Sequence, residues 1–194
     1  MQGASEKYEV RIWAYALMGN HVHFVAVPIR EDSLHKTIKV AHGDYTTYFN
    51  SKYGLVGHTW QGRFKSFPMD ETYCSNAVRY TERNPVRAGI VERAEDYLWS
   101  SAAAHCGLRD DLLLSDECPL TRVIPDWSEW VNIPNADSED QTLRAHAHSG
   151  HPLGPNDFLI RIGTNIGRDL LPKKRGPRPK KGKPENSGNA RLIW

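Results

Sequence analysis

The sequence predicts an α+β fold followed by a helical C-terminal extension and a disordered basic tail. Three observations support this prediction. Two strand patterns flank a glycine–asparagine turn near the N-terminus, helical periodicity dominates the residues that follow, and the end of the chain is rich in lysine, arginine and proline. The 194 residues, 39% of them hydrophobic, suffice for one domain of ordinary size with appendages.

The first two predicted elements are strands. The run YEVRIWAYALM, which starts at Tyr8, alternates and then becomes apolar, and the run HVHFVAVP is rich in valine and ends at Pro28. Gly19 and Asn20 lie between the two runs, so a β-hairpin is predicted. A third, short strand is predicted over residues 64–68.

Helical periodicity predicts two helices after the hairpin. The first begins at Asp32 or Ser33, ends near Gly54 and is expected to face the core. Its apolar positions recur every three or four residues at Leu34, Ile38, Ala41, Tyr45, Tyr48 and Phe49. The second helix begins at Asp70 and is interrupted at residues 84–85, because a proline disfavours helical geometry in the residue before it.

The net charge of +2 conceals an uneven distribution. Residues 1–107 hold 12 basic and 11 acidic side chains, residues 108–172 hold 5 and 11, and residues 173–194 hold 8 and 1. We therefore divide the chain into a nearly neutral domain, an acidic helical extension and a basic tail. The tail cannot bury a core and is expected to be disordered. Its charge favours contact with a polyanion, the alternative being a solubilising role.

The sequence argues against a membrane-spanning or a secreted protein. The sequence has no run of about 18 apolar residues, and its N-terminus lacks the apolar stretch of a secretory signal. Cys74, Cys106 and Cys118 are odd in number and lack the close spacing of a zinc motif. Reduced thiols in a cytoplasmic protein are therefore expected.

Four residues form a candidate site. His21 and His23 lie two apart on a predicted strand, so both imidazoles are expected on one face, where they can hold a divalent metal. Tyr80 and Asn84 lie four apart, so a helix places an amide ligand and a nucleophilic hydroxyl on one side. With a metal on a phosphate oxygen, this set suits phosphodiester cleavage. Taken singly, each residue has a simpler interpretation: strand histidines, a core tyrosine and a capping asparagine.

Basic and aromatic side chains accompany this candidate site. Phosphate contacts are expected from the basic residues, and base stacking from Trp60 and Phe64. A solvated basic face with buried aromatics is the alternative. The predicted DNA-binding residues are Gln61, Arg63, Lys65, Arg79, Arg83 and Arg87 in the domain, and Lys173, Lys174, Arg175, Arg178, Lys180 and Lys181 in the tail.

Three motifs occur in a characteristic order. They are LMGNHVHFVAVP (17–28), GHTWQGRFKS (57–66) and RYTERNPVRAGIV (79–91), the last of which is followed by DYLWSS (96–101). Together they resemble the REP-associated tyrosine transposases, a group within the single-tyrosine HUH transposases (IS200-like). The resemblance covers approximately residues 10–105, and the basic end of the chain is similar to the arm frequent in that family.

The resemblance implies a ferredoxin-like antiparallel sheet with helices on one face, and by comparison with the family the chain is expected to lack the N-terminal β-α unit. It implies that His21, His23 and Asn84 bind Mg²⁺ or Mn²⁺. Tyr80 is then the nucleophile, with the tyrosines at 45, 48 and 73 as the other candidates. The implied reaction is cleavage and strand transfer of single-stranded DNA at hairpin-bearing sites, through a 5′-phosphotyrosine intermediate and a free 3′-hydroxyl.

The sequence is compatible with three functions. The first is the metal-dependent DNA transferase, expected in the bacterial cytoplasm with the nucleoid, as a monomer or a homodimer. The second is a non-catalytic DNA-binding protein, a truncated or repurposed relative, which the missing N-terminal unit and the basic tail suggest. The third is a structural metal-binding or interaction protein that has no nucleic-acid partner.

Overall fold

The computed structural model describes residues 1–172, and the basic tail lies outside this range. A two-stranded antiparallel sheet and eight α-helices make up the described part, which confirms the α+β class. No helix within this range is long and apolar enough to cross a membrane. The elements in chain order are α1 (Gln2–Lys7), β1 (Val10–Leu17), β2 (Val22–Pro28), α2 (Ser33–Tyr53), α3 (Cys74–Glu82), α4 (Asn84–Arg87), α5 (Ala102–His105), α6 (Trp127–Asn132), α7 (Asp137–Ser149) and α8 (Asn156–Ile166).

The hairpin of β1 and β2 forms as predicted. Leu17 pairs with Val22, and the backbone N–H of Met18 donates to the carbonyl of His21 at 2.8 Å, which closes the turn. A register shift next to Ile12 marks a β-bulge in β1. The hairpin carries both candidate histidines.

The third strand predicted over residues 64–68 is wrong. Pro68 has no N–H to donate to a sheet ladder, and the segment remains irregular. Its end pairs with the extension instead: the N–H of Leu153 donates to the carbonyl of Pro68 at 2.9 Å, and the N–H of Asp70 donates to that of Leu153 at 2.8 Å. Asp70 then caps the turn that leads into α3, as predicted.

The DYLWSS segment covers the outer edge of β1. The N–H of Leu17 donates to the carbonyl of Trp99 at 2.8 Å, and the N–H of Ser101 donates to that of Tyr15 at 3.0 Å. The hydroxyl of Tyr97 also donates to the carbonyl of Leu17 at 2.7 Å. This motif therefore satisfies backbone groups that an edge strand leaves unpaired.

Helices cover both faces of the sheet. On one face Val78 of α3 packs with Ala14 and Val25. On the other face Leu34 of α2 packs with Tyr15, since neighbouring strand residues point in opposite directions. The arrangement differs from the resemblance, which implies helices on one face. With helices on both sides, a sheet of two strands is enclosed.

Helix α2 has the predicted bounds, but the prediction that it faces the core is wrong for its second half. Its buried residues are Ser33, Thr37 and Ile38, all in the first two turns, whereas Tyr45 and Tyr48 are 44% and 60% exposed. A helix of this length spans roughly 30 Å, while two paired strands are only about 5 Å apart. The second half of α2 therefore extends beyond the surface that the sheet offers.

The acidic extension shares the core of the N-terminal domain. Trp127 and Val131 of α6 and Leu143 of α7 belong to the same buried cluster as Val78 and Val25. The predicted helical character of the extension is confirmed. The change in charge near residue 107 does not interrupt this core.

A buried carboxylate joins α3 to the extension. Glu82 is fully buried, and its Oε1 accepts a hydrogen bond from the hydroxyl of Ser101 and lies 2.6 Å from Nδ1 of His105. Its Oε2 accepts from Nε1 of Trp127 at 2.8 Å. Burial of a carboxylate is tolerated when both oxygens are hydrogen bonded in this way. The C-terminal end of α3 is thereby attached to α5 and α6.

Replacing Glu82 by alanine is expected to lower the free energy of unfolding by about 3–5 kcal/mol, because His105 and the other donors lose a buried partner. Urea denaturation followed by tryptophan fluorescence measures this change. Glu92→Ala, at an exposed glutamate ten residues further on, is the matched control and should leave stability unchanged. Equal stability of the two variants would contradict a structural role for the carboxylate.

Candidate active site

The β-hairpin brings two imidazoles together. His21 is the last residue of the turn and β2 starts at Val22, so the prediction that both histidines lie on a strand is wrong for His21. The rings of His21 and His23 nevertheless approach to 4.9 Å between centroids, edge to face. Nδ1 of His21 lies 2.6 Å from Oδ1 of Asn20, which orients the exposed ring. The two imidazoles therefore belong to one local site.

Tyr80 lies next to this pair. Its ring centroid is 5.9 Å from that of His23, and the two rings are nearly perpendicular. The other candidate tyrosines have different surroundings, since Tyr45 contacts Trp60, Tyr48 contacts Lys52 and Tyr73 packs against the core. Within residues 1–172, Tyr80 is the tyrosine whose ring contacts the histidine pair.

Arg87 connects Tyr80 to Asn84. Its guanidinium carbon lies 4.1 Å from the centroid of the Tyr80 ring, a cation–π contact. Its Nη2 donates to Oδ1 of Asn84 at 3.0 Å, and its Nη1 donates to Oδ2 of Asp140 at 3.2 Å. One arginine thus holds the candidate nucleophile and the candidate amide ligand against α7.

His23 is neutral at physiological pH. Burial, with smaller contributions from the nearby charges of His21 and Arg87, lowers the pKa of His23 to about 4. The neutral imidazole is the form that binds metal ions.

The predicted metal ligands are two imidazoles and one amide. Residues 1–172 contain no group of three or more histidine, cysteine, aspartate or glutamate side chains that could hold a metal ion, so the candidate donors are two imidazoles and the amide of Asn84. The amide oxygen already accepts from Arg87. A set of two nitrogen donors and one oxygen donor leaves coordination positions open for a substrate. The predicted metal role of these residues stays a prediction.

The N-terminal part of the chain matches a known protein family. A family model described as "Transposase IS200 like" matches residues 1–84. Residues 1–84 belong to the IS200-like transposase family. The match includes His21, His23 and Tyr80 and ends at Asn84, and it implies a transposase-like, DNA-processing function with DNA as the partner. No curated protein and no solved structure matches the chain significantly.

Two arginines at the end of the transposase-family segment contact the extension. The guanidinium group of Arg79 lies 4.5 Å from the ring centroid of Trp130, and its Nη1 donates to Oδ1 of Asn135 at 3.4 Å. Arg83 donates to the carbonyl of Asn132. Their predicted DNA contacts stay predictions. In the structure, these guanidinium groups hold α6 and the following turn against α3.

The loop between α2 and α3 exposes polar and basic side chains. Gln61, Arg63 and Lys65 are exposed, whereas Phe64 is partly buried. Trp60 stacks on the ring of His42 at 3.8 Å. The six predicted tail residues, Lys173, Lys174, Arg175, Arg178, Lys180 and Lys181, lie outside the described residues.

The three cysteines are free, as predicted. Burial raises the pKa of Cys74 to about 12 and that of Cys106 to about 11, and it also raises the pKa of Cys118. Protonated thiols are poor nucleophiles.

Two supporting residues were not identified from the sequence. Glu82 lies four residues after Val78 on the buried side of α3. A carboxylate at a position where the helical period predicts an apolar residue is the sequence pattern that indicates such a buried group. Asp140 lies 53 residues from Arg87 in the sequence, and no local pattern relates them. Only tertiary packing brings Arg87 and Asp140 together.

The pair formed by Arg87 and Asp140 is expected to be energetically coupled. In a double-mutant cycle of Arg87→Ala and Asp140→Ala, followed by urea denaturation, we expect a coupling energy of about 1 kcal/mol, because both side chains are mostly buried. The exposed pair of Lys36 and Asp32 is the matched control and should show a smaller coupling. If the effects of Arg87→Ala and Asp140→Ala on the free energy of unfolding are additive, the contact between the two side chains is contradicted.

Proposed function

We propose that the protein is a metal-dependent transferase that cleaves single-stranded DNA at hairpin-bearing sites and joins strands through Tyr80. The observation that carries this proposal is that the Tyr80 ring contacts both the imidazole of His23 and the guanidinium group of Arg87. All of the proposed reacting residues lie in the segment that matches the transposase family. The REP-associated group is the subfamily that the motifs favour.

The proposed reaction is a reversible exchange of phosphodiesters. Oη of Tyr80 loses its proton to solvent and attacks phosphorus, and the bond from phosphorus to the 3′-oxygen breaks. The leaving 3′-oxygen takes up a proton from solvent, so the departing strand ends in a 3′-hydroxyl. The 5′-phosphate remains on the tyrosine. A later 3′-hydroxyl attacks this phosphotyrosine and restores a diester, so no external energy source is required.

The remaining residues support this exchange. Mg²⁺ or Mn²⁺, held by His21, His23 and Asn84, supplies Lewis-acid polarisation of the scissile phosphate when bound. Arg87 contributes a fixed positive charge beside the ring of Tyr80, which stabilises the negative charge that develops on the phosphate.

DNA binding is assigned to the exposed loop and the tail. Gln61, Arg63 and Lys65 are free to contact phosphates, and the basic tail extends the contact along the strand. Such binding weakens as the salt concentration rises. A protein with this function acts at the bacterial nucleoid, as a monomer or a homodimer.

Tyr80→Phe is expected to abolish covalent attachment to DNA, because phenylalanine has no hydroxyl. The protein is incubated with labelled single-stranded DNA that carries a hairpin, in Mg²⁺ or Mn²⁺, and adducts are counted on denaturing gels. Tyr73→Phe is the matched control and should form as much adduct as the wild type. An adduct that persists in Tyr80→Phe would refute the assignment of the nucleophile.

Metal removal is expected to abolish the adduct as well. Chelation by EDTA, or His23→Ala, should reduce adduct formation at least about a hundredfold, because the polarised phosphate is lost. His35→Ala changes an exposed histidine of α2 and should have no effect. Hairpin binding without an adduct under any divalent metal would instead favour the non-catalytic DNA-binding protein.

A further inference from the structure

The second half of α2 presents a run of aromatic rings. His42, Tyr45, Phe49 and Tyr53 recur every three or four residues and therefore follow one side of the helix. Trp60, from the loop that follows α2, lies beside them. We call these five residues the aromatic platform.

The rings of the platform contact one another in sequence. Trp60 stacks on His42 at 3.8 Å with an angle of 10° between the rings, and its Nε1 donates to the carbonyl of His42 at 3.1 Å. Tyr45 lies 5.5 Å from Trp60 and 5.7 Å from Phe49, and Phe49 lies 4.7 Å from Tyr53. The loop is thereby held against the helix, and the rings are ordered before any ligand binds.

The core does not account for this run of rings. The last buried residue of α2 is Ile38, which precedes the platform, and Tyr45 and Tyr53 are 44% and 57% exposed. Aromatic side chains bury large apolar areas when they act in packing, so an ordered run of rings that leaves two tyrosines exposed points to a binding surface.

The charge around the platform is positive. Residues 42–65, which contain the platform and the loop after it, hold three basic side chains and one acidic side chain. Nζ of Lys52 lies 5.5 Å from the ring centroid of Tyr53, and Arg63 and Lys65 are exposed in the loop that follows Trp60. Aromatic rings within a basic surface are the combination that binds single-stranded nucleic acid.

We propose that the aromatic platform is a stacking subsite for unpaired bases of single-stranded DNA, separate from the residues that react with phosphate. The proposal rests on the proposed function for the identity of the strand as DNA. Tyr45 and Tyr53 offer exposed ring surface for bases, while Lys52 and the loop cations contact phosphates. The platform therefore adds affinity for unpaired DNA without taking part in the chemistry.

Charge argues against a second copy of this chain as the occupant. Two platforms facing each other would bring together two surfaces with the same excess of positive charge, which repel. Duplex DNA offers phosphates but hides the faces of its bases in the stack. Unpaired bases satisfy both the rings and the charges.

The test compares a DNA strand that carries bases with an abasic strand of the same charge. Binding of the full chain to a 20-nucleotide oligothymidine and to an abasic strand of the same length is measured by fluorescence anisotropy at fixed salt. The wild type should bind the oligothymidine at least about tenfold more tightly. The double variant Tyr45→Ala/Tyr53→Ala should lose most of this difference, and Tyr45→Phe/Tyr53→Phe, which keeps both rings, should retain it.

Several results would overturn the proposal. These are equal affinity of the wild type for the two strands, unchanged binding by the alanine variant, and an equal loss on both strands. Conversion of a wild-type dimer to a monomer by the alanine substitutions, seen by sedimentation, would show that a second copy occupies the platform. The affinities of the wild type for the two strands are compared without any variant. This comparison therefore tests the proposal even if a variant fails to fold.

Failure of the proposed function gives a different result. Without any Tyr80 adduct, the transferase is refuted, yet the preference for oligothymidine over the abasic strand still tests the platform. Conversely, if the platform is refuted, the adduct still forms. With both correct, the alanine variant needs more hairpin DNA for half-maximal adduct formation, and at saturating DNA its adduct yield equals that of the wild type.

Discussion

The buried carboxylate of Glu82 is the interaction on which the site depends. It lies two residues after Tyr80 and is hydrogen bonded to Ser101 and His105 at the two ends of α5 and to Trp127 of α6, which are two separate stretches of the chain. A buried charge without these partners would be strongly unfavourable, so the groups must assemble together. The orientation of α3, and with it the direction of Tyr80, is therefore determined by residues beyond the segment that matches the transposase family.

Arginine contacts reinforce the same attachment. Arg79 and Arg83 contact the region of α6, and Arg87 reaches α7 while it covers the ring of Tyr80. The acidic extension thus supplies partners to the basic side of α3 and α4. Residues that the sequence suggested as phosphate contacts have a second role, in which they hold two parts of one core together. The shared core explains why the change in charge near residue 107 does not divide the structure.

Local patterns predicted the elements whose causes are local. The hairpin around Gly19 and Asn20, the left-handed end of α2 at Gly54 and the cap at Asp70 each depend on a few neighbouring residues. The third strand failed because strand pairing requires a partner, and the end of that segment pairs with Leu153. The apolar period of α2 was real, but periodicity does not show what lies opposite a helix.

The sequence alone identified the family and proposed the histidine pair and Tyr80 as candidate site residues, because the spacing of residues within a motif does not depend on the rest of the fold. It could not show that His23 and Tyr80 are in ring contact, nor that Arg87 is anchored by Asp140, since these contacts join residues more than 50 positions apart. It also could not show that the rings of α2 remain exposed. Burial depends on the width of the sheet and on the positions of all its neighbours, which only the tertiary structure determines.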